Sequence, residues 1–309
     1  MEIVLSLFIL LAGFVLLVKG ADWFVEGAAG IAGRFGIPQL VIGLTIVAMG
    51  TSLPEAAVSI TSALSGAAGI TVGNVVGSNI LNILLILGIT SLILPIPVQR
   101  STVRIEIPLM IAVTIVFLLS GLDHKIRRWE GLLYWLIFLG YLAYLFRIAK
   151  KCEEKEEPVA RLPLWLQLLM LTGGGAVIIA GSNLAVKGAT EIARFLGVSE
   201  RFIGLTVVAL GTSLPELVTS VIAARKGNAD IAIGNIVGSN IFNILFVAGT
   251  SAMIIPVLFQ PAFVADSVVA IAAAVLLWLC VLKDHKLTRS GGILMLLSYA
   301  AYFIYLCVK

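Results

Sequence analysis

The chain has 309 residues, 60% of them hydrophobic and only 12% charged, with a mean hydropathy of +1.10. A soluble domain carries about 25% charged residues and under half apolar ones, so an ordinary globular enzyme, a secreted disulfide scaffold and a nucleic-acid binder are excluded. The net charge of +4 is the kind of excess that cytoplasmic loops of a membrane protein carry.

A membrane-crossing helix needs about 20 mostly apolar residues. In chain order the pattern predicts ten, near 3–30, 38–64, 70–94, 102–120, 130–148, 163–193, 200–224, 229–255, 262–282 and 291–308. The start, Met1-Glu2-Ile3, has no basic stretch and no small-residue cleavage site. The first run is therefore expected to be a retained span rather than a removable signal. On that span Lys19, Asp22 and Glu26 share a face at helical spacing and are expected to pair with one another, as are Lys187 and Glu191 later on. Glu106, near a span start, is expected to snorkel to the membrane interface. The polar stretch 150–161, with Glu153, Glu154, Glu156, Glu157 and Pro158, reads as a solvated linker. Cys152, Cys280 and Cys307 are too few and too scattered for a disulfide framework or a zinc site.

The chain is two tandem copies at a constant offset of 161 residues. Gly50-Thr51-Ser52-Leu53-Pro54-Glu55 returns as Gly211-Thr212-Ser213-Leu214-Pro215-Glu216, and Gly73-Asn74-Val75-Val76-Gly77-Ser78-Asn79-Ile80 returns as Gly234-Asn235-Ile236-Val237-Gly238-Ser239-Asn240-Ile241. Between 41–90 and 202–251, 28 of 50 pairs are identical without a gap. The offset also pairs Asp123-His124-Lys125 with Asp284-His285-Lys286, so both histidines are expected to be structural turn residues. The predicted divisions are 1–149 for the first copy, 150–161 for the linker and 162–309 for the second copy. Five spans per copy is odd, so the second copy is expected to enter the membrane inverted, an arrangement that puts a transport site near the midplane where repeats meet. One side's loops carry 13 Lys and Arg against six on the other. That bias predicts both termini outside and the linker in the cytoplasm.

Glu55 and Glu216 stand apart from the other acids. Each lies mid-span, with no Lys or Arg in the ten residues before it. An ionisable group at that depth costs on the order of 3 kcal/mol and points to a functional site with a partner. No basic partner is at hand, so the partner is expected to be a cation from outside. Pro54 and Pro215 lack an N–H and clash with the carbonyl four residues back, which should break the helix beside each Glu. Backbone carbonyls of Ala48, Thr51, Ala209 and Thr212 would then be free, with hydroxyls of Thr51, Ser52, Thr212 and Ser213 alongside. Unwound backbone survives at membrane depth only where it lines a cavity or finds other partners. Each Glu would sit in the first turn of the resumed helix, where a carboxylate is favoured. Asn74, Ser78 and Asn82 recur at i, i+4 and i+8, as do Asn235, Ser239 and Asn243, so each trio lines one helix face. The Gly-x-x-x-Gly spacings allow close helix approach. Many oxygens at flexible geometry suit Ca²⁺ better than Mg²⁺, with Na⁺ able to use the same donors. No buried His or Cys favours zinc or copper.

With these blocks the sequence resembles the calcium/cation antiporter superfamily, specifically its sodium/calcium exchanger branch. The resemblance implies an all-α polytopic membrane protein of ten helices as two inverted five-helix repeats, at the cell membrane, with no cofactor and no enzyme activity. It implies four ion sites, with Glu55 and Glu216 as shared central ligands and the Thr51 and Thr212 carbonyls completing a calcium site. Ala48, Ser52 and Ser78 would join one flanking sodium site; Ala209, Ser213 and Ser239 would join the other. Asn82 and Asn243 would border a middle site. Potassium-dependent relatives carry Asp at the position of Asn243, and proton-coupled relatives carry an acid where this chain has Gly77 and Gly238. The expectation is Ca²⁺ exchange against Na⁺; the alternative is a Ca²⁺/H⁺ exchanger using the same site. The long first and sixth spans, with Gly20, Gly27, Gly30, Gly173 to Gly175, Gly181 and Gly188, are candidate sliding elements.

Overall fold

The computed structural model describes residues 2–66, 69–151, 162–197 and 209–308. These form α1 (Glu2–Phe35), α2 (Gln39–Thr51), α3 (Leu53–Leu64), α4 (Gly69–Ile93), α5 (Thr102–Gly121) and α6 (Arg128–Lys151). After the linker come α7 (Leu164–Phe195), α8 (Ala209–Thr212), α9 (Leu214–Arg225), α10 (Ala229–Ile254), α11 (Ala262–Leu282) and α12 (Arg289–Val308). Among the described residues eight helices are long and apolar enough to cross a membrane, and α2 with α3 makes a ninth, bent by 50°. Large apolar side chains at Val4, Phe8, Leu11, Val15 and Val18 are exposed along one stripe of α1. A stripe of that kind suits lipid: the chain is a multi-pass membrane protein. The first part of the span expected over 200–224, Cys152, and nearly all of the linker lie outside the described residues.

The interior is built on α4 and α10. Ile80, Leu84, Ile241 and Leu245 are all at most 2% exposed and belong to one apolar core, so these positions meet protein rather than lipid. On α10, a Cβ on Gly238 would fall 2.7 Å from the Leu44 carbonyl oxygen, and one on Gly234 3.0 Å from the Leu44 nitrogen. The small-residue spacing therefore brings the α2 backbone directly onto α10. Among the described residues four spans open a wider turn along the way: α2 over Gly43–Val47, α4 over Asn82–Leu87, α5 over Thr102–Glu106 and α10 over Asn243–Ala248 are π-helical. Such bulges are rare and concentrate at functional sites.

Four two-residue strands tie the copies crosswise. β1 (Ile96–Pro97) pairs antiparallel with β4 (Lys286–Leu287), and β2 (Lys125–Ile126) with β3 (Val257–Leu258). The offset that carries β1 onto β3 carries β2 onto β4, so each copy's first strand pairs with the other copy's second. His124 and His285 occupy the left-handed region at φ 68° and 48°, and their carbonyls accept from Phe259 and Val98 N–H. Turn geometry accounts for both histidines.

Three expectations are corrected. Asp22 and Glu26 do not pair with Lys19; both contact Lys226 Nζ, at 2.7 and 3.3 Å, because the turn after α9 packs beside α1. Glu191 accepts from Ser6 Oγ at 2.7 Å instead of pairing with Lys187. Glu106 does not reach the interface. It is wholly buried and accepts from Tyr144 Oη at 2.7 Å, because α6 covers the start of α5.

Candidate functional site

Pro54 and Pro215 stand in the first two positions of α3 and α9, where a missing N–H does no harm. Ser52 (φ −84°, ψ 9°) and Ser213 (φ −93°, ψ 4°) form the joints. Glu55 and Glu216 follow in the first turns, where the helix N-terminus favours a carboxylate. Both are buried, at 1% and 0% exposure.

Each carboxylate is held by the other copy. Ser52 Oγ donates to Glu216 Oε1 at 2.9 Å, and Ser213 Oγ donates to Glu55 Oε1 at 3.2 Å. The second oxygens, Glu55 Oε2 and Glu216 Oε2, are buried and no donor reaches them among the described residues; the same holds for Asn82 Oδ1 and Asn243 Oδ1. Four buried oxygens left bare in a protein interior are costly, about 1–3 kcal/mol apiece and more when charged. They are what a hard cation would satisfy. We expect Ser52→Ala to strip Glu216 Oε1 of its donor and to lower the ion-free melting temperature by an amount corresponding to about 1–3 kcal/mol. Thermal unfolding of purified protein measures this, and an unchanged midpoint would contradict the hydrogen bond.

The remaining expected residues divide by what already occupies them. Ser78, Ser239, Asn82 and Asn243 are buried on α4 and α10. Thr212 lies in α8, and Ala209 opens that helix. Thr51 is buried, but its hydroxyl donates to Asn235 Oδ1 at 2.9 Å. The Ala48 carbonyl, expected to be free, accepts Ser52 N–H at 3.1 Å and Ser239 Oγ at 3.3 Å. The chain bridges its own break, with Ser52 capping α2 as α3 begins. Asn74 and Asn235, expected on the ligand face, are braces instead. Asn74 Nδ2 donates to the Glu55 carbonyl (3.0 Å) and Ser59 Oγ (2.8 Å), and Asn235 Nδ2 to the Glu216 carbonyl (3.3 Å) and Ser220 Oγ (3.0 Å).

One pair was missed. Asn79 and Asn240 belong to the repeated Gly-Ser-Asn block but fall off the face shared by 74, 78 and 82. Asn79 Nδ2 donates to the Asn240 carbonyl (3.1 Å) and Asn240 Nδ2 to the Asn79 carbonyl (3.2 Å). Their presence in both copies was the available signal.

The family described as sodium/calcium exchanger protein matches this chain twice, over residues 5–147 and 166–308. CaxA of Alkalimonas amylolytica, named as a candidate antiporter, is 42% identical over 97% of this chain and 98% of its own length. The sodium/calcium exchanger MaX1 of Methanosarcina acetivorans is 32% identical over 98% of this chain and 99% of its own. Among solved structures, the sodium-calcium exchanger NCX_Mj soaked with Na⁺ and Sr²⁺ superposes with a TM-score of 0.86 at 33% identity, covering 98% of this chain and 99% of that one.

Proposed function

Because the chain belongs to the sodium/calcium exchanger protein family, we propose that it moves Ca²⁺ and Na⁺ in opposite directions through the Glu55–Glu216 cluster, by alternating access. It is a transporter of the cation antiporter class, not an enzyme. The observation that carries the site assignment is the pair of buried, bare carboxylate oxygens, Glu55 Oε2 and Glu216 Oε2. Asn82 Oδ1 and Asn243 Oδ1 are bare in the same way.

In this reading Glu55 and Glu216 are shared by all bound ions, and the Thr51 and Thr212 carbonyls complete the calcium site. Ser52, Ser78 and Ala48 take one sodium; Ser213, Ser239 and Ala209 take the other. Ser239 then swings its hydroxyl from the Ala48 carbonyl to the ion. Asn82 and Asn243 border the middle position. Two ionised glutamates balance one Ca²⁺ or two Na⁺, which makes the ions competitors for one pool of negative charge. An empty site leaves that charge uncompensated in low dielectric. Crossing unloaded is disfavoured, and this couples the two fluxes.

The architecture proposed with it is ten spans in two inverted sets of five, 1–149 and 162–309, joined by a cytoplasmic linker at 150–161. Both termini then face outward from the cell membrane. The crosswise strand pairs and the reciprocal Ser–Glu bonds support such a two-fold relation.

Calcium uptake into vesicles under an imposed sodium gradient, with the pH gradient collapsed, tests the coupling. Uptake should track sodium. Uptake that ignores sodium and follows pH would replace this reading with Ca²⁺/H⁺ exchange at the same residues.

A further inference from the structure

Four asparagines close a ring between α4 and α10. Asn79, Asn82, Asn240 and Asn243 are each at most 3% exposed. Besides the two bonds to backbone described above, Asn82 Nδ2 donates to Asn240 Oδ1 at 3.0 Å, and Asn243 Nδ2 donates to Asn79 Oδ1 at 3.2 Å. Which end of each amide points where is dictated by chemistry. A backbone carbonyl can only accept, so Asn79 and Asn240 must turn their NH₂ groups toward each other's main chain. Their side-chain oxygens then face Asn243 and Asn82, which must answer with NH₂. The oxygens of Asn82 and Asn243 are what remains, buried and without a donor.

We infer that Asn79 and Asn240 are positioning residues that fix the amide orientation of Asn243 and Asn82, so that each presents oxygen rather than NH₂ to a cation. The inference rests on the exchanger reading of the cluster. An amide flipped the other way would offer N–H protons to a positive ion, a repulsion in place of a ligand. Nothing on Asn82 or Asn243 alone prevents that flip. The other copy's asparagine does, so each half of the chain sets a ligand of the other half.

A double-substitution cycle separates orientation from packing, using calcium alone as the probe and calorimetry on the purified full-length chain. Asn79→Ala frees the Asn243 amide and should weaken calcium binding about tenfold. Asn243→Asp puts oxygen at both ends of the side chain, so it needs no orienting partner. In that background Asn79→Ala should change affinity by less than about twofold, or improve it by removing the oxygen that faces the new carboxylate. Equal losses in the two backgrounds, or no loss in either, overturn the inference. Asn240→Ala with Asn82→Asp forms the mirrored cycle, and serves if Asn79→Ala does not fold. A parent chain that binds no calcium, or Glu55→Gln binding it like the parent, would sink the exchanger reading and this inference together. That pattern differs from a failed cycle on an intact site.

Discussion

Glu55→Gln and Glu216→Gln should each lower calcium exchange at least about a hundredfold, matching the roughly 3 kcal/mol lost when one member of a buried charge pair is removed. Gln keeps the shape of the side chain, and its amide still accepts from Ser213 or Ser52. What vanishes is the charge that offsets the ion. The ion-free protein should meanwhile hold or gain stability, because a bare buried oxygen with a charge has been replaced by a neutral group. The two effects together distinguish a ligand from a structural acid. Radiolabelled calcium uptake in vesicles, with melting curves in and out of calcium, measures both. A variant that still exchanges, or one that melts early with its exchange intact once refolded, would refute the assignment.

A second large effect is expected at the seam of α1 and α7. A Cβ on Gly13 would lie 2.5 Å from the Ala185 nitrogen, on Gly20 2.8 Å from the Ile178 nitrogen, and on Gly27 2.7 Å from the Leu171 nitrogen. From the other helix, Gly174, Gly181 and Gly188 would place one 2.7 Å from the nitrogens of Phe24, Leu17 and Leu10. The glycines recur every seventh residue on both helices, and their partners run in opposite directions, so the backbones lie antiparallel and in direct contact. Overpacking typically costs about 1–3 kcal/mol, but here the atoms struck are main chain and cannot rotate aside. Gly174→Val should therefore exceed that range and abolish monodisperse protein. Gly173, its neighbour, meets nothing within 4 Å, so Gly173→Val is the control and should purify normally. Equal behaviour of the two would mean the helices do not touch as described.

What was legible in the sequence is what breaks a local pattern. Pro54 and Glu55 interrupt an apolar run, and the structure breaks and resumes the helix there. The trio rule placed Asn82 and Ser78 on a buried face, because helical spacing is a property of one element alone. Contacts between copies were out of reach. Lys226 meets Asp22 and Glu26 some 200 residues away, which no spacing argument connects. Ser52 reaches across to Glu216 rather than to its own Glu55, and tandem similarity does not say which copy answers which. Asn79 falls off the face that the spacing singles out, because its role is fixed by a carbonyl on another helix. The two-residue strands are too short to show alternation, and Pro97 argues against a strand by composition. The seam was half visible: Gly20, Gly27, Gly174, Gly181 and Gly188 belong to it, Gly30 meets only the Gln167 side chain of α7, Gly13 was overlooked, and Gly173 does not take part.

The crosswise pairing of β1 with β4 and β2 with β3 bears on how the molecule is made. When the ribosome has finished the first half, β1 and β2 have no complement, and Glu55 lacks the serine that will hold it. Neither strand pair and neither Ser–Glu bond can form until the second has been translated. Biogenesis should therefore be all-or-none across the full polypeptide, with a nascent first half dependent on insertion machinery to shield a naked acid from hydrocarbon.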